Sequence, residues 1–223
     1  MKLKRHDFIE LEYTGKLDDG TIFDTTNKDD AQKSGLNPKA KYGPVTICLG
    51  ENHILPGIEE QIIGGEPKSF DVTLEPDKAF GRKDAKLLKL VPMKAFKSQE
   101  VQPFPGLEVN MDNNYGTIRS VSGGRVIVDF NHPLASRTLH YSVKVNKQVT
   151  DVLEKAKALF KNEMQLADIP LEIKEKTLVI DEDKFPKEVL DALKKRVTEL
   201  VPEITDVVLK KDFKESNKTT DQK

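Results

Sequence analysis

The sequence lacks tryptophan altogether, has a single cysteine and carries almost no excess of either charge. Its 36 basic and 37 acidic side chains leave a formal net charge of -1, so no overall positive field exists to attract nucleic acid. A lone cysteine excludes a disulfide within these 223 residues. Because Cys48 stands in the apolar stretch 45–49, the pattern predicts a small buried side chain rather than a reactive thiol.

Long apolar runs are absent too. No stretch approaches the roughly 18 apolar residues of a membrane span, and residues 1–8 lack the apolar core of a signal peptide. We therefore expect a soluble, cytoplasmic protein without a membrane partner. The length of 223 residues allows one large domain or two to three small ones, in either case with a real hydrophobic core.

The motifs of several catalytic classes are also missing. The sequence has no phosphate-binding Gly-x-x-x-x-Gly-Lys-[Ser/Thr] loop, no dinucleotide fingerprint, no His-Glu-x-x-His motif and no cysteine pair. Its four histidines, His6, His53, His132 and His140, are scattered without metal-ligand spacing. We expect no metal and no cofactor. The short basic run 194–196 is typical of a solvated helix face, so no nucleic-acid partner is expected either.

Alternating apolar residues are a clear feature of the first part of the chain. The predicted strands cover residues 8–13, 22–23, 45–49, 68–75 and 139–145. Between the second and third of these, the polar residues 27–44 predict a long surface loop. A short amphipathic helix is predicted from Ile54, because Ile58 and Ile62 follow at helical spacing and Gly64-Gly65 provides a stop.

The segment 84–130 has a different character. Its strand-like stretches and the turn signal Ser122-Gly-Gly124 predict a small all-β unit inserted in a loop of the first domain. Met93, Phe96 and Phe104 make this small unit rather apolar. Two interpretations stay open: these residues form the core of the insert, or they present a surface that accepts many sequences.

Helical periodicity takes over near residue 149. The predicted elements are helices at 149–160 and 187–201 and strands at 177–180 and 204–209. Together they predict a separate α+β unit over residues 151–212. We expect its amphipathic helices to support a homodimer, since so small a unit gains from further apolar burial. Residues 214–223 are polar and lack periodicity, so we expect a disordered tail over residues 213–223.

On pattern alone, the side chains that could carry chemistry have ordinary explanations. Asp24 precedes two threonines, so it is either an acid or base or, more commonly, part of an Asx turn that holds backbone amides. The aromatic residues on alternating strands favour packing roles.

Taken together and in order, however, five stretches resemble one family. They are Leu11-Glu-Tyr-Thr-Gly15, Asp19-Gly-Thr-Ile-Phe-Asp24, Ile54-Leu-Pro-Gly-Ile-Glu59, Ala79-Phe-Gly81 and Asn131-His-Pro-Leu-Ala135. This order resembles the FKBP-type peptidyl-prolyl cis/trans isomerases, and most of all their SlyD-like branch with its long archaeal members. The resemblance implies an α+β fold in which an FKBP-like antiparallel half-barrel sheet wraps a short helix.

The resemblance also implies a division into domains. Residues 1–83 and 131–150 would form a discontinuous isomerase domain, residues 84–130 a chaperone domain inserted in its flap, and residues 151–212 the C-terminal α+β domain.

The family's motif positions imply a proline-binding cleft. Its lining would consist of Tyr13, Phe23, Asp24, Val45, Ile54, Leu55, Ile58, Phe80 and Tyr141, with Leu134 in the returning flap. By the same resemblance, the backbone N–H of Leu55 donates a hydrogen bond to a substrate carbonyl. Many members have tryptophan where this chain has Ile58, and the metal-binding tail of some bacterial relatives is absent.

The implied activity is cis/trans isomerisation of X-Pro bonds in unfolded or partly folded proline-containing polypeptides. It is joined to a folding-chaperone role in which Met93, Phe96 and Phe104 hold unfolded chains. The alternative is a non-catalytic holdase, which keeps the fold and binds unfolded polypeptides without turning over proline.

Overall fold

The computed structural model describes residues 2–66, 68–166, 169–182 and 185–213. Within them the strands are β1 (Phe8–Lys16), β2 (Ile22–Thr25), β3 (Val45–Cys48), β4 (Ser69–Leu74), β5 (Leu88–Pro92), β6 (Glu108–Met111), β7 (Asn114–Ser122), β8 (Arg125–Asp129), β9 (Leu139–Gln148), β10 (Leu171–Lys174), β11 (Thr177–Ile180) and β12 (Asp206–Leu209). The helices are α1 (Lys28–Lys33), α2 (Pro56–Ile62), α3 (Met93–Lys97), α4 (Val152–Met164) and α5 (Lys187–Leu200), with 3-10 turns at Pro76–Lys78 and Ala85–Leu87. The protein therefore belongs to the α+β class. The predicted disordered tail lies outside the described residues from 214 onward.

Residue contacts divide these elements between two compact units. The first unit comprises the described residues up to Val72 and from Tyr141 onward, and the second is Thr73–His140. No helix among the described residues is long and apolar enough to span a bilayer.

A five-stranded sheet contributes most of the strands of the first unit. Its order is β2-β1-β9-β4, with β3 also paired to β1. Strand β3 pairs with the start of β1, where Phe8 faces Cys48, and β2 pairs with its end, where Thr14 faces Thr25. Successive side chains of a strand point to opposite faces, so β1 buries Phe8 on one face and Ile9 on the other.

Helix α2 is the predicted short helix, and it begins where Pro56 occupies the first turn. Ile58 and Ile62 are both fully buried, as the spacing predicts for an apolar face. The helix ends before Gly64, which adopts a left-handed backbone with φ of +87°.

The prediction of a long surface loop at 27–44 is wrong in part, because helix α1 lies inside it. Asn27 caps this helix: its side-chain oxygen accepts hydrogen bonds from the backbone N–H groups of Asp29 at 2.8 Å and Asp30 at 3.1 Å. Ala31 is 1% exposed and anchors the helix to the interior. A single capping residue and one small apolar contact are too weak a periodic signal to predict from sequence.

The second unit contains a four-stranded antiparallel sheet in the order β5-β8-β7-β6. Helix α3 follows β5 directly, and its Phe96 packs with Ile118, Val126 and Val128 in the core of this unit. The segment 84–130 was predicted as strands alone, so α3 is an addition to the sequence-based expectation.

The C-terminal lobe, defined here as the described residues between 151 and 213, belongs to the first unit. In its three-stranded sheet, β10 pairs antiparallel and β12 parallel with the central β11, and α5 forms the crossover that a parallel pair requires. The side chain of Asp151 caps α4 by accepting from the backbone N–H of Glu154 at 2.7 Å.

The C-terminal lobe shares its core with the five-stranded sheet. Phe8 and Cys48 lie in one apolar cluster with residues of the two long helices, including Phe160 of α4 and Val197 of α5. Cys48 is fully buried, which confirms its predicted role as a small apolar side chain, and burial raises the pKa of its thiol to about 12. The thiol is therefore un-ionised near neutral pH.

Candidate functional site

Three aromatic rings meet on the five-stranded sheet. Tyr141 of β9 contacts Phe23 of β2 edge to face, with ring centroids 5.7 Å apart, and it contacts Tyr13 of β1 at 6.0 Å. We call these three residues the aromatic cluster. All three were implied by the family resemblance, and they come from strands that are neighbours in the sheet.

Gly15 makes room for the aromatic cluster. A Cβ atom at this position would lie 2.7 Å from Cζ of Phe23 and 2.9 Å from Cε1 of Tyr141, closer than side-chain atoms normally approach. Sequence reasoning missed this role, although the Gly15 that ends the first family motif was the available signal.

Asp24 supplies a polar group beside the aromatic cluster. The hydroxyl of Tyr13 donates a hydrogen bond to Oδ2 of Asp24 over 3.0 Å, and the Asp24 side chain is exposed. Asp24 lies within β2 rather than in a turn, so the Asx-turn interpretation of this residue is wrong. Asn27, three residues later, instead accepts from backbone amides, and these belong to the first turn of α1.

Electrostatics keep the tyrosines of the cluster un-ionised. Burial, followed by the negative charge of Asp24, raises the pKa of Tyr13 well above its ordinary value. Burial and the same carboxylate also raise the pKa of Tyr141. The Tyr13 hydroxyl is therefore a stable donor, and neither phenol is suited to proton transfer near neutral pH.

Two buried threonines hold β2 in place beside Tyr13. The backbone N–H of Tyr13 donates to Oγ1 of Thr26 at 2.9 Å, and the backbone N–H of Thr26 returns a bond of 2.9 Å to the Tyr13 carbonyl. The hydroxyl of Thr25 also donates to that carbonyl, over 3.2 Å. These bonds fix the strand that carries Phe23 and Asp24.

The other residues that the resemblance implied for the first unit lie in the turn before α2, in α2 itself and in β3. Ile54 and Leu55 are half-buried in the turn, and Val45 is half-buried at the start of β3. Leu55 caps the helix through its carbonyl, which accepts from the N–H groups of Ile58 and Glu59. Within the described residues, the Leu55 N–H itself donates no hydrogen bond. Ile58 is 0% exposed, so its side chain lies beneath the surface.

Phe80 and Leu134 belong to the second unit. The ring of Phe80 stacks on that of His132, with centroids 4.1 Å apart and planes 3° from parallel. The backbone N–H of Leu134 donates to Nδ1 of the same histidine over 3.2 Å. His132 was not predicted as a site residue, although it stands in the fifth family motif.

The three apolar residues predicted to hold unfolded chains have different environments. Phe96 is 4% exposed in the core of the second unit, Met93 is half-buried, and Phe104 is 56% exposed. Sequence reasoning missed two more exposed residues, Leu88 and Leu90 of β5, which are 46% and 58% exposed. Their alternation along a strand was the available signal.

Leu90 lies directly opposite Ile127 in the pairing of β5 with β8. Residues opposite each other in an antiparallel pair point to the same face, and Ile127 is 38% exposed. We call Leu88, Leu90 and Ile127 the exposed apolar face. Within the described residues no group of three or more His, Cys, Asp or Glu side chains is arranged to hold a metal ion.

Comparison with known proteins identifies the family. Residues 1–96 match the model of the FKBP-type peptidyl-prolyl cis-trans isomerases, and residues 89–134 match that of the FKBP26 IF domain. The chain is 29% identical over 147 residues to the short-type peptidyl-prolyl cis-trans isomerase of Methanocaldococcus jannaschii, covering 64% of this chain and 92% of that protein. It is 32% identical over 145 residues to the FKBP-type 16 kDa peptidyl-prolyl cis-trans isomerase of Escherichia coli K12, covering 61% of this chain and 87% of that protein. The chain belongs to the FKBP-type peptidyl-prolyl cis-trans isomerases.

This FKBP-type protein also has SlyD relatives. It is 30% identical over 162 residues to the SlyD of Treponema pallidum, covering 68% of this chain and 82% of that protein. As an FKBP-type enzyme the protein is a peptidyl-prolyl cis-trans isomerase, or rotamase. The prediction made from the five motifs is thus confirmed at the level of the family, of its SlyD-like relatives and of the enzyme class.

Proposed function

We propose that the aromatic cluster is where the enzyme receives the proline of its substrate, and that Tyr13, Asp24 and the Leu55 N–H orient the flanking peptide groups. The observation that carries this proposal is the meeting of Tyr13, Phe23 and Tyr141 on neighbouring strands. Phe80, Leu134 and Val45 are assigned to substrate binding by their motif positions.

The reaction needs little conventional chemistry. Rotation about a peptide bond meets a barrier of roughly 18–20 kcal/mol because resonance is lost, and exchange at X-Pro bonds takes tens to hundreds of seconds unaided. The twisted amide has less charge separation than the planar one. An apolar, water-poor surround therefore binds the twisted form better than the planar form, which is differential binding of the transition state.

The polar groups have a separate task. The neutral Tyr13 hydroxyl is tied to Asp24, and the Leu55 N–H has no partner among the described residues. The Leu55 N–H can therefore hold a substrate carbonyl without transferring a proton, whereas the single proton of the Tyr13 hydroxyl reaches a carbonyl only by leaving Asp24. Holding the flanking peptide group in this way confines rotation to the X-Pro bond. Each ~1.4 kcal/mol of preference for the rotated geometry accelerates exchange about tenfold.

Exchange spectroscopy by NMR on a short X-Pro peptide tests the catalytic proposal. We expect wild-type protein to accelerate cis-to-trans exchange and Phe23→Ala to lose most of that acceleration while staying folded. Tyr115→Ala, which removes an aromatic ring that is 78% exposed in the second unit, is the matched control and should keep it. Absence of acceleration by folded wild-type protein would instead favour the holdase alternative.

We further propose that the segment 84–130 holds unfolded chains for the isomerase. The exposed apolar face and Phe104 support this proposal, because contiguous exposed apolar residues are typical of interaction surfaces. Phe96, being buried, would contribute by supporting that surface from within. A tethered holding site raises the local concentration of proline-containing segments.

Two variants test the chaperone role. Replacing residues 85–130 by a short linker should spare peptide turnover. Asp84 and Asn131, which flank the deleted residues, are joined by hydrogen bonds, so a short linker can connect them. The same deletion should cripple refolding of a proline-limited protein. The double substitution Leu88→Ser with Leu90→Ser should reproduce that result in the full chain, and equal losses in both assays would count against the proposal.

Two remaining expectations stay predictions. A homodimer through the C-terminal lobe would need surfaces other than the buried stripe of α5, where Leu193, Val197 and Leu200 already face the core. Sedimentation velocity at high protein concentration tests it, and a monomer would remove it. We propose that the enzyme acts in the cytoplasm on unfolded or partly folded proline-containing polypeptides.

A further inference from the structure

Arg196 of α5 joins two acidic residues from distant parts of the first unit. Its Nε donates to both carboxylate oxygens of Glu163, at 3.1 and 3.0 Å, and its Nη2 donates to Glu51. Glu163 lies near the end of α4, whereas Glu51 lies in the turn between β3 and α2. These bonds, first to Glu163 and then to Glu51, raise the pKa of Arg196, so the guanidinium stays charged.

Other side chains also contact the turn that Arg196 reaches. Its Gly50 and Asn52 adopt left-handed conformations, with φ of +89° and +57°, which glycine and asparagine tolerate. The N–H of Gly50 donates to Oε1 of Glu59 over 3.1 Å, and His6 Nε2 lies 3.1 Å from Glu51 Oε1. Several side chains therefore hold this turn, and Arg196 contacts it from the C-terminal lobe.

His53 provides a second contact between α4 and the chain that leads into α2. Its side chain is only 5% exposed, its Nδ1 accepts from the backbone N–H of Cys48 over 3.1 Å, and its Nε2 lies 3.4 Å from Glu163 Oε1. Asn162, beside Glu163 on α4, donates to the carbonyl of Thr46 over 2.8 Å. The C-terminal lobe thus contacts β3 and the residue that directly precedes Ile54.

We propose that the C-terminal lobe sets the geometry of the prolyl site, with Arg196 and His53 acting as positioning residues for the start of α2. The inference rests on the proposed function, because it concerns the Leu55 N–H and Ile54 of the same site. Glu51 and His53 lie four and two residues before Leu55 in the chain. A shift of this turn moves the Leu55 N–H relative to the aromatic cluster, and a displacement of about 1 Å in a reacting geometry can cost roughly hundredfold in rate.

Arg196→Gln tests the inference in the full-length protein. We expect kcat/KM for X-Pro peptide exchange to fall about tenfold, carried mainly by kcat, within the range that a misplaced site can lose. Arg196→Lys should recover only part of the loss, because an ammonium group cannot form the planar fork that joins two carboxylates. Lys155→Gln is the matched control. It removes an ion pair with Glu203 of 2.7 Å inside the C-terminal lobe and should leave kcat/KM unchanged.

Thermal unfolding of each variant separates positioning from stability. Equal losses of kcat/KM in Arg196→Gln and Lys155→Gln would overturn the inference, since any weakening of the lobe would then suffice. So would wild-type kcat/KM in folded Arg196→Gln. Inactive wild-type protein would instead overturn the proposed function, so the two failures are distinguishable.

A double-mutant cycle provides the sharper readout. If Arg196 acts through Glu51, the variant Arg196→Gln with Glu51→Gln should lose no more kcat/KM than either single variant. Losses that multiply would show that the two residues act independently, and this would overturn the proposed route through the turn. In the control cycle, the variants Lys155→Gln, Glu203→Gln and their combination should all keep the wild-type kcat/KM.

Discussion

At the scale of single residues, the proposed prolyl site depends on a position without a side chain. Gly15 allows Phe23 and Tyr141 to approach each other over its own backbone, and no positive φ is required of it. The important property of this glycine is therefore space rather than backbone freedom. The same holds in the second unit for Gly116, where a Cβ would lie 2.7 Å from Cδ1 of Phe130.

Gly15→Ala should displace the rings of Phe23 and Tyr141 and lower kcat/KM for a prolyl peptide. Overpacking of this kind costs about 1–3 kcal/mol of unfolding free energy. Gly116→Ala is the matched control: it should lose comparable stability, measured by urea unfolding, with unchanged turnover of the peptide. Equal kcat/KM in the two variants would contradict the importance of Gly15 for the site.

Tyr13→Phe should change how stability depends on alkaline pH. Because the pKa of Tyr13 is raised on folding, its contribution to stability is fully present below the unfolded pKa of about 10 and is lost as pH rises from there through the folded pKa. Urea unfolding from about pH 8 to pH 11 should therefore show a steeper loss for wild-type protein than for Tyr13→Phe. Parallel curves would show that Tyr13 is not held un-ionised by the fold.

At the scale of elements, one buried carboxylate joins β8 of the four-stranded sheet to β7 and to the residues that flank the sheet. Asp129 at the end of β8 is 4% exposed. Its Oδ2 accepts from Lys83 at 3.0 Å and from Arg119 at 2.8 Å, and its Oδ1 accepts from the side chain of Asn131 at 2.7 Å. Burial alone would raise the pKa of Asp129, but these hydrogen bonds outweigh it and hold the pKa well below its usual range.

Asp129→Asn should reduce the stability of the second unit at neutral pH by roughly 2 kcal/mol, the size of a hydrogen bond to a charged group. The lowered pKa means that this contribution is present above the unfolded pKa of about 4 and is lost as pH falls through the folded pKa. Amide exchange of β8 should therefore differ between wild type and variant at neutral pH and converge in strong acid. A difference that persists unchanged at about pH 1 would argue against the charge as its cause.

At the scale of the whole molecule, the C-terminal lobe is not an independent attachment to the five-stranded sheet. Phe8 and Cys48 are 1% and 0% exposed, and both belong to the cluster that contains Val197 and Leu200 of α5. Since one apolar cluster serves both parts, we expect the lobe and the sheet to unfold together.

Phe8→Ala should destabilise α5 although Phe8 stands near the start of the chain. Removing a buried phenylalanine costs about 3–5 kcal/mol, and the shared core should transmit that loss to the helix as faster amide exchange. Phe96→Ala is the matched control, because Phe96 is almost as buried but lies in the core of the second unit. It should accelerate exchange in β7 and β8 and leave α5 protected. Unchanged protection of α5 in Phe8→Ala would contradict the shared core.

Local periodicity predicted the elements with several buried apolar residues well and the others poorly. The strand predicted at 177–180 is β11, Thr177–Ile180, and the helix predicted at 187–201 is α5, Lys187–Leu200. By contrast α1, α3 and β10 were missed. Each has at most one buried residue, which is too weak an apolar pattern to recognise in the sequence, so tertiary contacts determine these elements.

The sequence was sufficient to identify the family, because its motifs occur in the family's order, and the resemblance that they carry implies Tyr13, Phe23, Asp24 and Tyr141 as site residues. It also determined most strands and the long helices, since their apolar periods are local properties of the chain. Tertiary structure alone decided which side chains meet: the clearance at Gly15, the bond from Tyr13 to Asp24, and the contact of Arg196 with Glu51, 145 residues apart. Such contacts depend on how distant segments pack, and no local pattern encodes which partner a charged or aromatic side chain will find.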